Sequence, residues 1–127
     1  MFALNKLTKK RLPKSFLHYK KIKESVLGKD FDLSLVFITE LKSKKLNKEF
    51  RNKNYAANVL SFPIGKTTGE IFINVDTEKE AKKFEMTFPV YIDFLLIHGA
   101  LHLSGLDHGK KMELLEDKFL KTYSHTK

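Results

Sequence analysis

An α+β fold, a small mixed β-sheet covered by helices in a single domain over residues 1–127, is what this sequence predicts. Three short runs have strand character, five segments have helical spacing, and the two kinds do not alternate strictly as βαβ units would. Hydrophobic content of 42% with eleven Phe in 127 residues is enough to bury one core.

Pro13 stands near the start of a helix that runs to about Gly28, a natural C-terminal stop. Its apolar stripe is Phe16, Leu17, Ile22, Val26 and Leu27, with Lys20, Lys21 and Lys23 pointing elsewhere. Residues 31–38 alternate and then turn fully apolar, as a strand does on becoming central. Thr39 caps a helix to about Phe50, with Leu41, Leu46 and Phe50 inward. Residues 59–62 form a second strand closed by Pro63, residues 64–69 a turn, and residues 70–75 a third strand, so the last two strands make a hairpin. A charged helix starts at Asp76 and Thr77 and reaches about Met86. Pro89 opens a long apolar helix anchored by Val90, Phe94, Ile97 and Leu101. The final helix, about 110–122, packs through Met112, Leu115 and Phe119.

Three of the five histidines fall within eleven residues, as His98, His102 and His108. A spacing of four puts His98 and His102 on one helical face, and Gly105 lets the chain turn so that His108 returns to the same point. Three imidazoles with one open position suit a catalytic zinc ion, whereas a structural zinc is closed by a fourth protein ligand. The spacing also matches the zinc stretch of metzincin proteases. Those enzymes carry Glu directly after the first His as general base, and here that position is Gly99. The other two histidines, His18 and His125, lie in Lys-rich contexts and read as surface residues.

With no Cys in the chain, disulfides and thiolate metal sites are excluded, and metal ligands must be nitrogen or oxygen. No apolar run is long enough to span a membrane, and the start lacks the apolar core and cleavage site of an export signal, so a cytoplasmic location is expected. The net charge of +9 is concentrated: residues 1–29 hold nine Lys or Arg and one acid, Glu24. Such a cluster suits a polyanion such as RNA, or equally an exposed helix face kept soluble by Lys.

Beyond the histidines, Asn58-Val59-Leu60-Ser61-Phe62-Pro63, Gly69-Glu70-Ile71 and the run from Leu46 to Arg51 resemble the YbeY family of bacterial metal-dependent endoribonucleases. The likeness extends in order from about Leu33 to Leu120. It implies that His98, His102 and His108 hold one zinc ion, that Arg51 is the basic residue beside the metal, and that Lys53 is the next basic position. It also implies a role in small-subunit (16S) ribosomal RNA 3′-end maturation and ribosome quality control, with ribosomal RNA and the small subunit as partners. The chain departs from the family pattern at Asn52, Asn54, Ala57 and Phe94, the last standing where many members have a further His.

A planar guanidinium at Arg51 suits two phosphate oxygens at once; alternatively it is a helix-end residue interacting with the last carbonyls. Asn58 and Ser61 face the expected cleft and either contact RNA or serve strand-edge hydrogen bonds. Asp107 either orients a ligand imidazole or caps the turn. Phe62, Phe72 and Phe88 are read as apolar core before base-stacking surfaces. Alternatives to a ribonuclease are a non-catalytic ribosome-associated factor with a structural zinc, and a metallopeptidase, against which Gly99 argues.

Overall fold

A computed structural model describes residues 1–124; His125 lies outside the described residues. Among these, the chain runs β1 (Phe2–Leu7), α1 (Phe16–Leu27), β2 (Asp32–Ile38), α2 (Glu40–Arg51), β3 (Val59–Gly65), β4 (Thr68–Asn74), α3 (Glu78–Lys83), α4 (Phe88–Leu103) and α5 (Lys110–Tyr123). The sheet order is β1-β2-β4-β3, with β1, β2 and β4 parallel and β3 antiparallel to β4. The expected α+β domain with a mixed sheet is what forms.

Period-two alternation in β2 explains the two layers. Leu33, Leu35 and Phe37 point to one face and join Ile71 and Ile73 of β4 under α1, α4 and α5. Val36 and Ile38 point to the other, where Leu60 and Leu46 of α2 close a smaller core. β2 sits between β1 and β4, as its fully apolar end predicted. No helix among the described residues is long and apolar enough to cross a membrane.

Several expectations need correction. Residues 2–7 form a strand, β1, that the sequence reading left unassigned. It is an edge strand in which only Phe2 is buried, so its six residues carry no apolar alternation. β3 continues past Pro63 to Gly65, because an edge strand leaves the ring nitrogen without a required partner. Helix α1 begins after Ser15, whose side chain accepts from the His18 amide, so Pro13 precedes it. Its inward residues are Tyr19, Ile22 and Lys23, while Phe16 and Leu17 are exposed. The buried Lys23 ammonium donates to the Lys29 carbonyl at 3.2 Å.

On α2 the inward face is Ser43, Leu46 and Asn47, and Leu41 and Phe50 are exposed. Ser43 donates to the Ala57 carbonyl at 2.6 Å and Asn47 to the Tyr55 carbonyl at 2.8 Å. The helix thus docks on the backbone before β3 through satisfied polar groups, which hydrophobic spacing does not reveal. His18 is also no ordinary surface residue: its Nε2 lies 3.0 and 2.9 Å from the two carboxylate oxygens of the fully buried Asp93.

Candidate metal centre

α4 presents His98 and His102 from one face, one turn apart. It is held rigidly because Val90, Ile97 and Leu101 are buried and Thr87 caps its start, accepting from the Val90 amide at 3.4 Å. After Ser104 the chain leaves the helix through Gly105 at φ 101°, a conformation that favours glycine, and turns back. The turn places His108 against the other two. One nitrogen from each ring lies within 4.8 Å of the others, and ring centroids are 4.7, 5.3 and 4.8 Å apart.

Gly99, where a metzincin carries its Glu, faces the sheet. A Cβ there would stand 2.8 Å from the Ser61 Oγ, 3.2 Å from Val59 Cγ2 and 3.3 Å from Ile71 Cδ1. Ser61 donates to the Gly99 carbonyl at 3.0 Å, which ties α4 to β3 at this contact. The position therefore has no room for a general base; glycine is there so that the ligand helix can lie close to the sheet.

The carboxylate that reaches the cluster is Glu116 of α5, hydrogen-bonded to His98 Nδ1. That contact fixes the ring and leaves Nε2 free to coordinate, the usual arrangement behind a metal-binding imidazole. Asp107 is exposed, with no side-chain hydrogen bond found for it among the described residues. The His102 pKa is lowered by burial first and by the adjoining His98 and His108 next, with Asp107 opposing. Lowering favours the neutral imidazole, the form that binds metal. Three nitrogen donors, one of them already oriented and another biased to its neutral form, fit a divalent transition ion.

The histidines line an open cavity of about 300 Å³ together with Arg51, Val59 and Ser61. Arg51 enters from the C-terminus of α2, where Asn52 takes the left-handed conformation at φ 55°. Its guanidinium carbon lies 5.8 Å from the centroid of the Phe62 ring. Of the other residues singled out, Lys53 is exposed and outside the cavity lining, and Asn58 donates to the Tyr91 hydroxyl at 3.0 Å. None of the clustered bases of residues 1–29 lines the cavity.

Comparison with known proteins places this geometry. A family profile described as Endoribonuclease YbeY matches residues 3–124. The chain belongs to the YbeY family. An Endoribonuclease YbeY of Thermosipho melanesiensis is 41% identical over 106 residues, covering 76% of this chain and 77% of that protein. One from Wigglesworthia glossinidia brevipalpis is 35% identical over 124 residues, covering 87% and 76%. The solution structure of a Thermotoga maritima protein superposes with a TM-score of 0.70 at 28% identity, over 95% of this chain and 87% of that one.

As a YbeY-family site, the cluster contains contacts that sequence reasoning missed. Glu116 was detectable in principle: it lies one turn from Met112 and three residues before Phe119, an acid on the inward face of α5. The role of Gly99 had no such signal, because it depends on how closely α4 approaches β3. Phe94, one of the four departures from the family pattern, places its ring 5.9 Å from that of His98.

Proposed function

We propose that this chain is a zinc-dependent endoribonuclease that cuts single-stranded RNA, acting in 3′-end maturation of small-subunit (16S) ribosomal RNA and in ribosome quality control. The observation that carries the reading is the convergence of His98, His102, His108 and Arg51 on one open cavity with no acid in its lining. The family's name supports RNA as substrate, and the resemblance at Asn58 to Pro63 supports the ribosomal role.

His98, His102 and His108 would hold a divalent ion, and the chemistry it would supply there is Lewis acidity and a water made more acidic near neutral pH. The chain's own residues do the remaining work. Glu116 holds the His98 ring, and Gly99 and Ser61 fix the distance of the ligand helix from β3. Arg51, backed by the Phe62 ring, offers a planar fork to two non-bridging phosphate oxygens and so places the scissile phosphate beside the histidines. Phosphodiester hydrolysis depends chiefly on such positioning and charge stabilisation, so the lack of a Glu at position 99 is no obstacle.

The test is cleavage of a short single-stranded RNA by metal-loaded protein beside His102→Ala and Arg51→Ala variants. Expected are loss of cleavage in chelator and in His102→Ala, and a fall of roughly 100-fold or more in Arg51→Ala. Equal cleavage by His102→Ala and wild type refutes the site and leaves the ribosome-binding factor as the better reading.

A further inference from the structure

The cavity at the histidines has a neighbour on the other side of β3. A trough of about 340 Å³ is lined by Leu46, Phe50, Phe62, Glu70 and Phe72. Its three aromatic rings run in an edge-to-face series, Phe50 to Phe62 at 5.6 Å and Phe62 to Phe72 at 5.8 Å between centroids. Phe50, near the end of α2, is 61% exposed, so its ring is open to a ligand. Ser61 and Phe62, consecutive on β3, point to opposite faces, one into the metal-centre cavity and the other into the trough. Arg51 joins the two sites. It lines the first cavity, and its guanidinium lies over the Phe62 ring that floors the second.

We infer that the trough is a base-binding subsite, in which an unstacked base of single-stranded RNA lies against Phe50 and Phe62 while an adjoining phosphate is held by Arg51. The inference rests on the ribonuclease reading above and deepens it. Two features select this occupant. α2, which supplies Leu46 and Phe50 to the lining, and the two residues after it carry six basic and two acidic side chains over residues 40–53, so the element beside the trough attracts a polyanion. The wall residue inside is Glu70, which repels phosphate but accepts from the N–H groups of a base edge. A base can leave its own stack for these rings only in a single strand, so the trough also gives a physical reason for strand selectivity.

The test uses Phe50→Trp, which introduces the chain's only Trp at an exposed position that tolerates it. Metal-loaded protein is mixed in a stopped-flow instrument with a single-stranded RNA, with an abasic strand of the same length, and with the corresponding duplex. Expected is fast quenching by the single strand alone, and in a companion titration about ten-fold weaker binding to Phe50→Ala than to wild type. Equal binding of RNA and abasic backbone by wild type, or unchanged affinity in Phe50→Ala, overturns the inference. If Phe50→Ala instead abolishes a concentration-dependent self-association and leaves RNA affinity intact, the trough is a protein interface and the inference also fails. Cleavage assays run alongside separate the two levels: chelator-sensitive cleavage without quenching sinks the trough alone, whereas no cleavage and no binding sinks the ribonuclease reading beneath it.

Discussion

Glu116 and Gly99 carry their functions without touching any expected substrate, and each can be tested by a single small substitution. A carboxylate behind an imidazole sets which nitrogen faces the ion, and losing such a partner typically weakens metal binding about 10–100-fold. Glu116→Ala should show that loss in a competition titration against a chromophoric chelator, and Glu116→Gln, which still accepts from Nδ1, should recover most of it. An unchanged affinity in Glu116→Ala would leave the contact as packing. At Gly99 a single methyl would meet the Ser61 hydroxyl at 2.8 Å, closer than a real Cβ contact allows. Overpacking of this kind costs about 1–3 kcal/mol, so Gly99→Ala should lower the urea midpoint at constant slope. The histidines were legible because all three lie within eleven residues and their spacing is local. Glu116 left only a faint trace, its place on the inward face of α5, because it is 18 residues from His98 and meets it only when α5 folds back on α4.

Among the elements, α1 and α4 are joined by the His18–Asp93 pair, with Asp93 fully buried. Burial dominates in pushing the Asp93 carboxyl up from 3.8, with the hydrogen bonds from His18 and Ser124 opposing it. The folded state thus keeps this proton to higher pH than the unfolded chain does. The stability Asp93 contributes is fully present below 3.8 and is lost as pH rises through its raised value. Asp93→Asn keeps the shape and removes the titration, so its stability should vary less with pH over that window, as read from denaturant melts at a series of pH values. Parallel curves for variant and wild type would contradict this.

Element type was readable where the hydrophobic period was clear, as in β2, in α4 opened by Pro89 and in α2 behind Thr39. Element facing was less so. α2 turns Ser43 and Asn47 inward because they satisfy carbonyls of the segment before β3, and Phe50 outward to the trough. β1 escaped notice because a half-exposed edge strand has no second face to pattern.

At the scale of the whole molecule, an ion at the three histidines ties α4 to the turn after it, and through Glu116 to α5. Anything that binds only the folded state stabilises it, by about 4 kcal/mol at a thousand-fold excess over Kd. Zinc should therefore raise the melting temperature by several degrees. Chelator should reverse the rise, and His102→Ala, compared at the same zinc concentration, should lack it. A rise of equal size in that variant would place the bound ion elsewhere.

β3 has one further consequence, for how molecules of this chain meet one another. Among the described residues no strand pairs with its outer edge, and a bare strand edge is a template on which a second copy can polymerise. Pro63 withholds one amide from that template, and the register shift between Pro63 and Gly65 spoils its straightness. Because Val59 and Ser61 of the same strand line the metal-centre cavity, strand-to-strand polymerisation along this edge would cap the cleft as well as aggregate the protein. The proline that interrupts the edge therefore guards both solubility and access.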